Sequence, residues 1–143
     1  MAQIDAFFKM LKETGASDLH LASGAQPMLR LAGRLERIKY KILDQEELKA
    51  LLYEIAPERL VKVFEETGDL DFAYGAPGIG RLRANYFRQE RGLAAAFRAI
   101  PEVVPRIADL DLPPVLGELA MRPKGLVLVT GPTGSGKSTT LAA

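Results

Sequence analysis

The chain of 143 residues contains no cysteine and one histidine. Without cysteine it can form neither a disulfide framework nor a zinc site with thiolate ligands, and we expect a cytoplasmic protein. The lone His20 has no second metal-binding residue at ligand spacing. A structural or hydrogen-bonding role is therefore expected for it rather than a metal site.

An excess of charge of one sign is also lacking, since 19 Lys and Arg stand against 18 Asp and Glu. The formal charge of +1 gives no general attraction to nucleic acid or to an anionic membrane, and no nucleic-acid partner is expected. Any argument from charge must concern a local cluster of residues.

Long apolar runs are missing too, because no window approaches the ~18 apolar residues that span a bilayer. The N-terminus carries Asp5 and has no basic stretch before an apolar run, unlike a secretory signal. The chain is 48% hydrophobic and 26% charged, the mix of one globular domain and part of another. We expect a soluble protein that does not insert into the membrane.

Helical and strand patterns follow one another irregularly over the first hundred residues. Apolar residues at helical spacing predict one helix along 4–11 and a second behind Asp44, with its stripe at 48–55. The clearest hairpin joins strands 81–88 and 93–100 through a turn at 89–92. This order predicts an α+β domain with an antiparallel sheet over residues 1–100.

A change of composition follows that domain. Five of the nine prolines fall between Pro101 and Pro123, which predicts a linker over 101–122 with room for one small helix. The continuous apolar run at 125–130 is typical of a buried parallel strand. We therefore expect residues 123–143 to be the truncated start of an α/β domain.

Residues 131–138 read GPTGSGKS, which matches G-x-x-x-x-G-K-[ST] and follows the predicted strand. Glycines allow such a loop to curl until its backbone N–H groups point at phosphate oxygens, whereas the alternative is an ordinary glycine-rich turn. The residues predicted to bind ATP are Gly131, Pro132, Thr133, Gly134, Ser135, Gly136, Lys137, Ser138 and Thr139.

Two side chains of this loop carry the expected chemistry. Lys137 would bridge the β- and γ-phosphates, and the Ser138 hydroxyl would be a ligand to Mg²⁺. Hydrolysis also needs an acid that holds Mg²⁺ and a group that orients water, and neither can be placed here. Because five residues follow Ser138, the 143-residue chain is expected neither to hydrolyse ATP nor to bind it tightly.

Many nucleotidases share this loop, so it does not identify a family by itself, but several stretches upstream of it are more specific. The discriminating feature is an SDLHL strand together with an arginine-rich hairpin. The stretches are 16–21 (ASDLHL), 26–28 (QPM), 80–85 (GRLRAN), 97–101 (FRAIP) and 125–143 (GLVLVTGPTGSGKSTTLAA). In order and spacing they resemble the type IV pilus retraction ATPases, the PilT-like members of the secretion ATPase superfamily. Leu82 and Gln26 depart from that family's usual Phe and Pro.

The resemblance implies a PAS-like N-terminal domain before a RecA-like P-loop ATPase domain. It further implies a homo-hexamer in the cytoplasm beside the inner-membrane pilus platform, where ATP hydrolysis would drive pilus disassembly and twitching motility. It also implies that arginines of the N-terminal domain approach the nucleotide phosphates. By motif these are Arg83 and Arg98, with Arg81 next.

The hairpin itself gives a geometric reason to examine those arginines. If its turn centres on Glu90 and Arg91, Arg83 lies opposite Arg98, and like charges so placed favour an anion nearby. A shift of one residue in register would separate them. The alternative is a solvated sheet face with ion pairs to Glu90 or Asp71.

Three other interpretations stay open. An assembly or secretion ATPase of the same superfamily usually carries a further domain before this one, whereas the match here begins at Met1, which favours the retraction type. A PAS-like interaction or sensor module would make no use of catalysis. A small-molecule P-loop kinase fits least, because a whole domain precedes the loop.

Overall fold

An antiparallel sheet of six strands, covered by helices, forms the first part of the chain. The computed structural model describes residues 2–101, 103–132 and 135–143, which fall into two compact units, Met1–Pro101 and Glu102–Ala143. The first unit contains, in order, α1 (Asp5–Thr14), β1 (Asp18–Ala22), β2 (Met28–Leu31), β3 (Arg34–Arg37), α2 (Gln45–Ile55), α3 (Glu58–Thr67), β4 (Asp69–Ala76), β5 (Gly80–Gln89) and β6 (Gly92–Ile100).

The strand order in the sheet is β3-β2-β1-β6-β5-β4, and every neighbouring pair is antiparallel. The predicted hairpin is confirmed as β5 and β6, and the predicted pairing of Arg83 with Arg98 is confirmed in its register. Strand β1 is added beside β6, which brings residues near 18 next to residues near 98. The predicted α+β fold class with an antiparallel sheet is confirmed.

The helices pack on one face of the sheet, where alternate residues of the strands are apolar and buried. The ring of Phe8 on α1 lies 4.9 Å from that of Phe97 on β6. From β5, the buried Tyr86 hydroxyl donates a hydrogen bond of 2.9 Å to the carbonyl oxygen of Leu52 on α2. Both predicted helical stripes therefore point into this core, and the opposite face of the sheet is left to polar side chains.

Local signals set where these helices begin and end. The Asp44 carboxylate accepts a 2.8 Å hydrogen bond from the backbone N–H of Glu47 and so caps the start of α2. Helix α1 ends at Gly15, which adopts the left-handed conformation with φ of 67°. Strand β1 begins at Asp18, three residues after this glycine.

The second unit contains a 3-10 helix (Ile107–Leu110) and two short helices, α4 (Val115–Ala120) and α5 (Lys137–Ala142). The predicted strand at 125–130 is not formed, and Leu126 and Leu128 are 83% and 74% exposed. A parallel strand needs neighbouring strands to pair its backbone groups, and the described residues of this unit supply none. Among the described residues, none of the helices combines the length and the apolar character needed to span a bilayer.

Candidate functional site

A row of charged side chains crosses the polar face of the sheet. Cross-strand pairing aligns Arg30 with Asp18, Asp18 with Arg98, and Arg98 with Arg83, over β2, β1, β6 and β5. The neighbouring row on the same face carries His20, Ala96, Asn85 and Asp71. Together the two rows line a cavity of about 340 Å³, which we call the arginine cavity.

Asp18 lies at the centre of the charged row and is the buried member, with 7% of its side chain exposed. It accepts hydrogen bonds from Arg98 Nε at 2.7 Å and Ser17 Oγ at 2.9 Å, and Arg30 Nε lies 3.2 Å away. Burial raises the pKa of Asp18, but the hydrogen bonds from Arg98 and Ser17 and the Arg98 charge outweigh it and leave the pKa below its ordinary value. Asp18 is therefore an ionised anchor for two arginines.

Asp71 forms an ion pair with Arg83, and this carboxylate is more exposed to solvent than that of Asp18. Arg83 Nε lies 3.1 and 3.0 Å from the two Asp71 oxygens, and its terminal nitrogen also donates to the same carboxylate. The side chains of Arg83 and Asp71 are 64% and 40% exposed. The hydrogen bonds from Arg83 lower the pKa of Asp71.

Arg83 and Arg98 lie opposite each other, as predicted, and each forms an ion pair with a carboxylate of the same chain. The ion pair of Arg83 with Asp71 is one of those named as an alternative, whereas the pair of Arg98 with Asp18 was missed by sequence reasoning. Only the long-range pairing of β1 with β6 reveals it. Arg81 is exposed on β5 opposite Ile100 and is not among the residues lining the arginine cavity.

His20 lies in the second row and is half-buried. Its Nε2 is buried without a hydrogen-bond partner in the described part of the chain. Burial, and then the positive charge of Arg30, lower the pKa of His20. The described residues contain no group of three or more His, Asp or Glu side chains placed to hold a metal ion.

The predicted phosphate loop belongs to the second unit, where Lys137 is the first residue of α5. Its Nζ donates hydrogen bonds to the carbonyl oxygens of Gly131 at 2.8 Å and Pro132 at 2.6 Å. Thr133 and Gly134 lie outside the described residues. Ser138 and Thr139 occupy the first turn of α5 and are exposed.

The backbone of this loop requires glycine at two positions. Gly131 has φ of 150°, and a Cβ there would lie 2.8 Å from Ser135 Oγ. Gly136 has φ of 88° immediately before α5. The ammonium of Lys137 faces carbonyl oxygens of the loop, and Ser138 follows Lys137 in the first turn of α5. This donor set fits a magnesium-bound triphosphate.

Comparison with known proteins supports a common origin for both units. The family model described as type II/IV secretion system protein matches residues 111–143. The chain is 48% identical over 129 residues to the type IV pilus retraction ATPase PilT of Pseudomonas aeruginosa, covering 90% of this chain and 38% of that protein. It is 40% identical over 117 residues to a twitching motility protein of Neisseria gonorrhoeae, covering 82% and 31%.

Solved structures agree with the sequence matches. A crystal structure of the pilus retraction motor PilT with bound ADP superposes with a TM-score of 0.85 at 43% identity, covering 99% of this chain and 41% of that one. The DotB ATPase of Legionella pneumophila gives 0.66 at 29% identity, covering 97% and 39%. The chain spans about two fifths of the length of these relatives. Over the part of their length that it spans, the chain is similar in sequence and in fold to the PilT-like type II/IV secretion ATPases.

Proposed function

We propose that this chain is part of a P-loop ATPase that hydrolyses ATP to retract type IV pili. The observation that carries the proposal is the loop ahead of α5, where Lys137 turns its ammonium toward the backbone of Gly131 and Pro132. A triphosphate would replace those carbonyl partners with phosphate oxygens. The same residue type at this position of the motif binds phosphates in P-loop proteins.

Mg-ATP, when bound, supplies a γ-phosphoryl group that can pass to water. Lys137 would hold the β- and γ-phosphates, Ser138 would offer its hydroxyl to Mg²⁺, and the backbone N–H groups of the loop 131–136, apart from Pro132, would surround the phosphates together with Thr139. Residues 119–143 contain no Asp or Glu. This stretch therefore offers no carboxylate that could complete the magnesium site, and we propose that the 143-residue chain is inactive alone.

The arginine cavity supplies the second part of the proposed mechanism. Arg83 and Arg98, with Arg81 beside them, would act as arginine fingers that neutralise charge developing on the transferred phosphoryl group. Their side chains suit this role because Arg83 and Arg98 are 64% and 68% exposed. Hydrolysis would then depend on whether these arginines reach the nucleotide.

Retraction is favoured over assembly or secretion by two of the relatives that match most of the chain, since their names refer to pilus retraction and to twitching. A PAS-like sensor module has no comparable support. By the same resemblance we propose a cytoplasmic homo-hexamer that acts beside the inner-membrane pilus platform. ATP hydrolysis in the ring would be coupled to removal of pilus subunits.

The direction of force is tested by a Lys137→Ala allele in the source organism, with surface pili and twitching scored together. A retraction motor predicts cells that keep or accumulate pili and no longer twitch. Loss of surface pili would instead support an assembly ATPase. Lys62→Ala removes an exposed lysine on α3 and serves as the control, which should behave as wild type.

A further inference from the structure

The two arginines of the proposed mechanism are held by carboxylates of different character. Asp18, the partner of Arg98, has 7% of its side chain exposed, whereas Asp71, the partner of Arg83, has 40% exposed. A buried carboxylate with several donors holds its partner firmly, while an exposed pair is screened by water and salt. The two arginines therefore differ in how easily they can be released.

Asp18 is bound from three directions. Arg98 on β6, Arg30 on β2 and Ser17 just before β1 all contact its carboxylate. Because Asp18 is buried, movement of the Arg98 guanidinium away from it would leave a buried carboxylate with fewer donors. Arg98 is thus fixed in place by the sheet.

Asp71 holds Arg83 through a single diagonal contact. Its direct cross-strand partner is Asn85, so the Arg83 side chain reaches from the neighbouring row to meet it. The contact uses Nε and one terminal nitrogen of the guanidinium. That edge is the one that binds two phosphate oxygens in a bidentate manner. A phosphate and Asp71 therefore compete for the same donors.

We propose that Asp71 is a positioning residue that holds Arg83 and competes with the nucleotide phosphate for it, while Asp18 keeps Arg98 fixed. The inference rests on the proposed function, in which Arg83 acts on phosphate. Asp71 touches no substrate and works through Arg83. Removing its charge releases the guanidinium edge and lowers the cost of engaging the nucleotide.

The test is steady-state ATP hydrolysis by the full-length protein with Asp71→Asn, Arg83→Ala and the double variant. Asp71→Asn is expected to raise kcat/KM about two- to fivefold, the range that corresponds to an exposed ion pair. The double variant should equal Arg83→Ala, because Asp71 acts only through Arg83. Asp71→Glu retains the carboxylate and should return kcat/KM toward wild type.

Two further measurements separate this role from a structural one. Raising the salt from about 0.1 M to about 0.5 M should bring the ratio of Asp71→Asn to wild type toward one, since screening weakens the pair in wild type. Glu58→Gln makes the same change of charge at an exposed pair with Lys62 on α3, and it should leave kcat/KM unchanged. An equal gain in Glu58→Gln would overturn the inference.

The outcomes also distinguish this inference from the proposed function. If Arg83→Ala lowers turnover but Asp71→Asn equals or falls below wild type, competition by Asp71 is wrong and the role of Arg83 stands. If Arg83→Ala leaves turnover unchanged, the arginine-finger role fails and the role of Asp71 fails with it. A gain in Asp71→Asn that persists in the double variant would show an effect that does not pass through Arg83.

Discussion

Arg83 and Arg98 are direct cross-strand partners on β5 and β6, yet their guanidinium groups contact different carboxylates. Like charges opposite each other destabilise a sheet, and here Asp71 and Asp18 compensate them from either side. The pair is therefore stable without a ligand while 64% and 68% of the two side chains stay exposed. This arrangement suits residues that meet a phosphate only part of the time.

Asp18→Asn should destabilise the first unit. The change leaves Arg98 and Arg30 without the carboxylate they share, and we expect the free energy of unfolding to fall by about 1.5–3 kcal/mol, the range for a hydrogen bond to a charged group. Urea denaturation of the chain followed by circular dichroism measures it. Glu13→Gln, an exposed change of equal charge on α1, should alter stability by less than ~0.5 kcal/mol.

The effect of Asp18 should depend on pH with a defined sign. Because the folded state holds the pKa of Asp18 below its ordinary value of 3.8, the stabilisation is complete above that pH and is lost as pH falls through the lower folded value. The difference between wild type and Asp18→Asn should therefore shrink as pH falls below 3.8. A difference that grows below pH 3.8 would contradict this account.

His20 should give a second pH dependence at higher pH. Its folded pKa lies below the ordinary value of 6.5, so between these two values the unfolded chain binds a proton that the folded chain does not. Stability should therefore decrease as pH falls below 6.5, and His20→Gln should remove that part of the slope. Equal slopes in the two proteins between pH 7 and pH 5 would show that His20 does not titrate in this way.

Gly92 at the start of β6 should resist substitution. It has φ of 115°, and a Cβ there would lie 2.4 Å from Gln45 Oε1 and 3.2 Å from Ser23 Oγ. We expect Gly92→Ala to lower the melting temperature and to cost about 1–3 kcal/mol, chiefly through backbone strain. Gly75→Ala is the matched control, because a Cβ at Gly75 meets nothing within 4 Å and its φ is unexceptional.

Local features of this fold could be predicted from sequence, and features that depend on distant pairing could not. The β5–β6 hairpin and the register of Arg83 with Arg98 follow from a short turn at 89–92. The contact of Asp18 with Arg98 joins residues 80 apart, and no periodicity within either segment indicates that β1 lies beside β6. Long-range strand order is set by the whole core.

The run at 125–130 is a local pattern that predicted an element which the structure does not contain. Its composition indicates burial, but it forms no strand, because composition does not supply the neighbouring strands that a parallel sheet needs. In the candidate site, the motif locates Lys137 and Ser138 without any knowledge of the fold. Asp71 could also be named from the sequence as a possible partner of these arginines, whereas Asp18 is identified as the partner of Arg98 only by the strand order of the sheet.

The central claim is that the loop from Gly131 to Ser138 binds the phosphates of Mg-ATP for hydrolysis. ATP turnover by the full-length protein, measured as released phosphate with and without Lys137→Ala, tests it most directly. The account predicts magnesium-dependent turnover in wild type and a loss of at least ~100-fold in the variant, because the cation on the transferred phosphoryl group is gone. Wild-type turnover in Lys137→Ala, or none in the intact protein, would contradict the account.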